Sequence, residues 1–120
     1  MQYVMLIFQG TTPLPGSDEW AALSEEEQKQ IYADYGALNQ NPGVTPGPPM
    51  GSPDDATTVR VEGGRTITTD GPFVGIKEAV GGFFVLEADD LDGAIEVASR
   101  VPAARLGGAI EIRPPEAYWK

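Results

Sequence analysis

The sequence predicts an α+β fold in which helices cover one face of a mostly antiparallel sheet. Three observations favour it: the first strand is apolar on both faces, strand and helix patterns alternate, and a Gly-Gly hairpin interrupts them. The resulting order matches a ferredoxin-like βαββαβ unit that carries an extra hairpin strand. At 120 residues, the chain is expected to form one domain over residues 1–120.

The first strand is predicted at residues 3–8, which read YVMLIF. This run is short and rich in strand-forming residues, and both of its alternating faces are apolar. The helices of a small domain can cover one face of such a strand. A second copy of the chain is the simplest cover for the other face, so we expect a homodimer that associates through its sheet faces.

The first long helix is predicted to begin after Ser24, which forms a capping box with Glu27. Asn41 and Pro42 end it, since a residue before proline disfavours helical geometry. Residues 42–53 contain eight prolines and glycines among twelve positions. This stretch predicts an irregular surface loop within the domain.

A hairpin is predicted next, with strands at residues 57–61 and 65–69. Gly63 and Gly64 form a favoured two-residue turn between them. The hairpin is expected to supply both a strand of the main sheet and the extra strand.

The rest of the chain predicts a strand, a helix and a final strand. The buried strand spans residues 82–88, and Asp89 or Asp90 caps the helix that follows. Pro102 ends that helix or begins a short extra turn. The last strand lies around Ile110 and Ile112.

Composition excludes several function classes. The formal net charge is −10, which disfavours binding to nucleic acids and anionic membranes. Cysteine and histidine are absent, so disulfides, thiolate or imidazole metal ligands and imidazole-based catalysis are excluded. The opening apolar run is too short for a transmembrane helix and lacks a basic leader. We therefore expect a cytoplasmic protein with no cofactor and no metal site.

One polar cluster could carry chemistry. Asp70 lies at a predicted strand end, Gly71 and Pro72 follow it, and Lys77 and Glu78 lie a few residues on. A carboxylate beside a lysine can bind a substrate acid or act as a base with an electrostatic partner. The alternative is structural, since Asp-Gly-Pro is a common turn and Lys-Glu a common solvated pair.

The chain resembles the YCII-related superfamily, and in particular its DGPF branch. The motifs that carry the resemblance are DGPF at residues 70–73, Lys77-Glu78, the Gly-Gly pair at 81–82 and PAAR at 102–105. The opening strand and the segment from Trp20 to Glu26 fit the branch as well. The resemblance covers nearly the whole chain except the Pro/Gly-rich loop.

The resemblance implies a dimeric α+β barrel, in which two ferredoxin-like subunits stack through their sheets. It also implies a protein without an assigned reaction, encoded in many cases beside an extracytoplasmic-function sigma factor. One relative is a dehydrochlorinating lyase, and the wider family carries a His and an Asp that suggest catalysis. This chain has no His and has Val101 where relatives tend to have Asp.

Any catalytic base must therefore be a carboxylate or a lysine. Asp70 is the first candidate and Glu78 the second, while Lys77 or Arg105 could hold an anionic substrate or an oxyanion. Three aromatic residues are candidate substrate contacts with core packing as their alternative: Tyr3, Tyr35 and Phe73.

Two functions follow from these observations. The first is a cofactor-independent enzyme of the lyase, isomerase or cyclase type that acts on a small organic acid in a cleft of the homodimer. The second is a non-catalytic module that binds a ligand or a regulatory partner such as the sigma factor. An enclosed polar cleft that contains Asp70 favours the first, and a filled one favours the second.

Overall fold

The computed structural model describes residues 1–75 and 78–117 of the chain. Strands and helices alternate in it as the sequence predicts, and a short 3₁₀ turn at Pro53–Asp55 precedes the hairpin. The elements in order are β1 (Gln2–Phe8), α1 (Asp18–Ala21), α2 (Glu25–Gln40), β2 (Val44–Pro46), β3 (Thr57–Glu62), β4 (Arg65–Asp70), β5 (Val80–Glu87), α3 (Leu91–Ser99), α4 (Pro102–Arg105) and β6 (Ala109–Arg113).

Within the described part of the chain, the main sheet has four antiparallel strands in the order β2-β5-β1-β6. The central strand is β1, where Met5 lies opposite Phe84 on one side and Ile112 on the other. The α+β class with an antiparallel sheet is confirmed. The element order and the strand order are consistent with a ferredoxin-like fold.

The core lies between this sheet and the helices. On β1 the alternate residues Tyr3, Met5 and Ile7 point toward the helices and are buried. Leu38 of α2 and Val97 of α3 close the other side of the same cluster. Met5 is fully buried, so truncating it to alanine would cost about 2–5 kcal/mol of unfolding free energy.

The second strand of the main sheet comes from the Pro/Gly-rich stretch, which was predicted to be irregular. Gly43 turns the chain with φ of +89°, and its carbonyl accepts the N–H of Glu87 at 2.8 Å. β2 then pairs with β5 as the edge of the sheet. Proline is tolerated there because the outward side of an edge strand needs no ladder donor.

The predicted hairpin forms, but it stands apart from the main sheet. Gly63 and Gly64 adopt φ of +55° and +79°, as a two-residue turn requires. Within residues 1–75 and 78–117, β3 and β4 pair with each other in a separate two-stranded sheet. The expectation that the hairpin contributes a strand to the main sheet is therefore wrong, because β2 occupies that edge.

Side-chain caps define the N-termini of both long helices. The Ser24 hydroxyl accepts the N–H of Glu27 at 3.1 Å, which confirms the predicted start of α2. Asp90, and not Asp89, caps α3 by accepting the N–H of Gly93 at 2.9 Å. Pro102 begins the short helix α4. Among the described residues, no helix is both long and apolar enough to cross a membrane.

The hairpin extends the molecule beyond the size of a compact domain. The radius of gyration is 16.3 Å, whereas a compact chain of this length has about 14 Å. Val59 and Val61 on β3 remain 60% and 67% exposed. An isolated two-stranded hairpin is only marginally stable in water. The exposed valines of this hairpin lack the packing partner that such an element normally needs.

Replacing either of two glycines by alanine should change the unfolding free energy, but in opposite directions. Gly36 is exposed within α2, and a Cβ there has open space around it, so Gly36→Ala should raise the unfolding free energy by about 0.5–1 kcal/mol. Gly43 has positive φ, and a Cβ added there would lie 2.6 Å from the Glu87 carbonyl oxygen. Gly43→Ala should therefore lower the unfolding free energy. Urea denaturation measures the unfolding free energy of both variants. Changes of the same sign in the two variants would contradict this account of β2.

Candidate ligand-binding site

A cavity of about 450 Å³ lies between α2, the start of β5 and the segments that follow β1 and β2. Its wall is mainly apolar, and its volume is in the range of small-molecule sites. The side chains and backbone that line it are Ile7, Gln9, Thr12, Pro13, Leu14, Pro15, Trp20, Ile31, Tyr32, Tyr35, Leu38, Asn39, Pro46, Gly47, Pro48, Pro49, Met50, Gly81, Gly82, Phe83, Phe84 and Pro102.

Two polar side chains in this wall have oxygen atoms that are shielded from solvent and lack a hydrogen-bond partner. They are Oε1 of Gln9 and Oγ1 of Thr12. Buried polar atoms are nearly always paired, because an unmade hydrogen bond costs about 1–3 kcal/mol. Neither oxygen is exposed to the cavity, so a bound molecule could reach them only after the turn at residues 9–12 rearranges.

The backbone around Gln9 fixes the position of these two side chains. Gln9 follows directly after β1, and its carbonyl accepts the N–H of Thr12 at 2.9 Å in a tight turn. The N–H of Thr11 donates to the carbonyl of Gly107 at 3.2 Å, which ties the turn to the segment before β6. The Gln9 side chain lies directly over Gly81, where a Cβ would collide with it.

An aromatic pair forms another part of the wall. The rings of Trp20 and Tyr32 meet edge to face, with centroids 5.4 Å apart and planes at 70°. The Ser17 hydroxyl accepts the N–H of Trp20 at 3.1 Å, and the side-chain amide of Gln28 donates to the Trp20 carbonyl at 2.9 Å. The tryptophan is thereby held in place on the short helix α1.

Tyr35, a predicted substrate contact, lines this cavity from α2. Burial raises the pKa of its hydroxyl, while a hydrogen bond from the Ala103 backbone N–H and the charge of Arg105 act in the opposite direction. The hydroxyl therefore stays protonated well above neutral pH. It is available as a neutral donor rather than as a base.

Arg105, the predicted anion anchor, pairs instead with Asp34 of α2. Its guanidinium lies 2.7 Å from the Asp34 carboxylate, next to a smaller cavity of about 260 Å³. A hydrogen bond from Gln30 and the interaction with Arg105 lower the pKa of Asp34 against the opposing effect of burial. The carboxylate thus neutralises this arginine within the fold.

The DGPF turn lies at the base of the hairpin. Asp70 is exposed at the end of β4, and Gly71 has φ of +99°. The N–H of Gly71 donates to the Ala56 carbonyl, and its own carbonyl accepts the Thr58 hydroxyl, each at 2.7 Å. These bonds give the turn a structural role in closing the hairpin.

The other predicted residues are dispersed. Phe73 is 74% exposed, with the Arg60 guanidinium carbon 5.9 Å from its ring centroid, and Glu78 is exposed as well. Tyr3 lies in the core on the helix side of β1, not on the open face of the sheet. Lys77 lies outside the described residues.

The structure therefore brings only Tyr35 of the predicted set into the cavity beside α2. Phe73 lines a second cavity of about 450 Å³, together with Pro72 and residues 50–53. The sequence analysis did not identify Gln9 and Thr12. The signal that could have found them is a polar turn directly after a buried strand, where side chains commonly face a cleft. Their partners in the wall come from α2 and from residues 46–50, which only the folded chain brings together.

The protein is thus an α+β protein with an antiparallel sheet and a partly open cavity beside α2. The chain belongs to the family of YCII-related domains, whose model matches residues 1–114. It is similar to an uncharacterised protein of Rhizobium meliloti (strain 1021), with 30% identity over 103 residues that cover 82% of this chain and 83% of the relative. The resemblance drawn from the DGPF turn and its accompanying motifs is confirmed at the level of the YCII-related family.

The raised pKa of Tyr35 predicts a pH dependence of stability. The folded state holds the Tyr35 proton more tightly than the unfolded state, whose tyrosine pKa is about 10. The resulting stabilisation is complete below pH 10 and is lost as pH rises through the higher pKa of the folded state. Between pH 9 and pH 11, the unfolding free energy measured in urea should therefore fall more for the wild type than for Tyr35→Phe. Equal losses would contradict the burial of this hydroxyl.

Proposed function

We propose that this YCII-related protein binds a small organic molecule in the cavity beside α2. The observation that carries the proposal is the cavity of about 450 Å³ itself, with its mainly apolar wall. The apolar surface of a ligand would be removed from water there, while Asn39 and Tyr35, which also line the wall, carry polar groups. Trp20 and Tyr32 add aromatic contact area.

The cavity supports binding more directly than carboxylate catalysis. Among the described residues that line it, the groups able to exchange a proton are the hydroxyls of Tyr32 and Tyr35. Asp70 and Glu78 are exposed and lie outside that wall. Binding is accordingly the function that the geometry supports, and a reaction at Asp70 remains a separate hypothesis.

We also propose that the protein acts as a homodimer built through its sheet faces. The side of the sheet away from the helices carries an apolar centre in which Val4 lies opposite Val85 and Leu6 opposite Phe83. Val4 and Phe83 are each 40% exposed. A second copy would bury this face, and the hairpin with its exposed valines would gain cover in the same assembly.

A cavity-filling substitution tests the binding proposal. Gly82 faces the cavity beside Ile7, and a Cβ there would lie 3.6 Å from the Ile7 Cδ1, an ordinary contact. Gly82→Leu should therefore fold and place its side chain in the cavity. A hydrophobic fluorescent probe that binds the wild type should lose at least tenfold in affinity for this variant.

Gly36→Leu is the matched control, because it adds the same side chain at an exposed position with open space around it. It should bind the probe as the wild type does. Native mass spectrometry of protein purified without added ligand should also show a retained small molecule in the wild type and not in Gly82→Leu. Equal probe binding by all three proteins would contradict the proposal.

A charged residue on the open sheet face tests the dimer. Val4→Asp places a carboxylate beside Arg113, its cross-strand neighbour, so the isolated subunit should tolerate it. Burial of that carboxylate against a second copy would be costly. Sedimentation should give a dimer for the wild type and a monomer for Val4→Asp.

The control for this experiment is Ile95→Asp, which makes a similar change at a half-exposed position on α3. Because α3 covers the opposite face of the sheet, this variant should remain dimeric. A wild-type monomer, or loss of the dimer only in Ile95→Asp, would contradict association through the sheet.

A further inference from the structure

We infer that the hairpin of β3 and β4 is a docking arm that packs one of its two faces against a second copy of the chain. This inference rests on the proposed homodimer, because it adds a second contact surface to that assembly and names the residues that form it. It follows from the chemistry of the hairpin faces, the surface area of the chain and the distribution of its charge.

The two faces of the hairpin differ in chemistry. Side chains of directly paired residues share one face of a β-ribbon, and Val59 pairs with Thr68 while Val61 pairs with Thr66. We call this side the valine face; it consists of Thr57, Val59, Val61, Thr66 and Thr68, with Asp70 at its base. The other charged side chains of the two strands lie on the opposite face: Arg60, Glu62 and Arg65.

The valine face keeps most of its apolar surface in water. Val59 and Val61 are more than half exposed. On the opposite face Ile67 is 40% exposed, and the Arg60 guanidinium that lies across from it sits over the Phe73 ring. A sheet face built from valine and threonine is typical of a buried surface, so the valine face has the composition of a core and lacks its cover.

The surface area of the chain favours a second copy as that cover. The chain exposes 8347 Å², whereas a compact folded protein of 12.8 kDa exposes about 6,300 Å². The excess of about 2,000 Å² exceeds the roughly 800 Å² that each partner contributes to a standard stable interface. The open sheet face and the valine face are the apolar parts of this excess.

The charge distribution favours the same occupant. Two copies that each carry a net charge of −10 repel each other wherever their acidic surfaces meet. Residues 57–70 contain two arginines, one glutamate and one aspartate, so the hairpin has no net charge and the whole excess of acids lies elsewhere. A basic partner would be attracted to those acidic surfaces, whereas a second copy can approach the hairpin without repulsion.

The hairpin is long enough to reach across a second copy. Each of its strands has six residues, which corresponds to a length of about 20 Å. The shortest dimension of the chain is also 20 Å. The arm can therefore extend over the full thickness of a partner subunit that stacks on the open face of the sheet.

Hydrogen exchange of the purified full-length protein tests whether the cover comes from a second copy. A hairpin that stands alone opens readily. The amides of β3 and β4 should therefore exchange at least about tenfold more slowly in the dimeric wild type than in monomeric Val4→Asp. The amides of α3 should exchange alike in both proteins, which verifies that the fold is intact. Equal exchange of the hairpin in both proteins would overturn the inference.

Two charge substitutions identify the docking face. Val61→Glu places a carboxylate on the valine face and should raise the dissociation constant of the dimer at least about tenfold. Ile67→Glu is the matched control, because it adds the same acid on the opposite face, next to Arg60. It should leave the dissociation constant unchanged. Equal effects of the two substitutions would contradict docking through the valine face.

Val61→Thr keeps the inference testable if the charged variant fails to fold. Threonine preserves the shape and the strand preference of valine and replaces one methyl group by a hydroxyl. The dimer of this variant should be weaker than that of the wild type and stronger than that of Val61→Glu. A dimer of unchanged strength would count against the valine face.

The outcomes distinguish this inference from the proposed homodimer. If Val4→Asp dissociates the dimer and both Val61 variants leave it intact, the hairpin does not dock and the sheet-face dimer stands. If the wild type sediments as a monomer, the proposed homodimer fails and this inference fails with it.

Discussion

The fold depends on the burial of β1, the central strand of the main sheet. Its residues Tyr3, Met5 and Ile7 form the floor of the core under the helices. Val4 and Leu6 alternate with them and are apolar as well, but they face the open side. A strand of this kind needs cover on both faces. The helices provide one cover, and the proposed homodimer provides the other.

The cavity arises where the same strand leaves the sheet. The chain can turn at Gln9 only because neighbouring positions lack side chains: a Cβ at Gly108 would collide with the backbone around Phe8, and one at Gly81 with Gln9 itself. Gly81 lets the polar turn pack tightly against β5, and Gly108 lets it pack against the segment before β6. The helix α2 and residues 46–50 then close over it, so the cavity is a direct consequence of how β1 ends.

Local patterns were sufficient to predict most of the fold. The apolar run of β1, the Ser24 cap and the Gly63-Gly64 turn each depend on neighbouring residues, and each was confirmed. The strand β2 was missed because its pairing with β5 outweighs a local sequence rich in proline and glycine. Pairing of this kind is a long-range property, which no local pattern contains.

The candidate site was harder to predict for the same reason. Its residues come from distant segments of the chain, which only folding brings together. The DGPF turn drew attention because its residue types suit chemistry, yet its hydrogen bonds to Ala56 and Thr58 close the hairpin. The most direct measurement is the ¹H–¹⁵N spectrum of the protein titrated with the hydrophobic probe used to test the cavity. The account predicts shifts at the Gln9 side-chain amide and at residues 9–12 and 81–83, whereas shifts confined to residues 70–73 would contradict it.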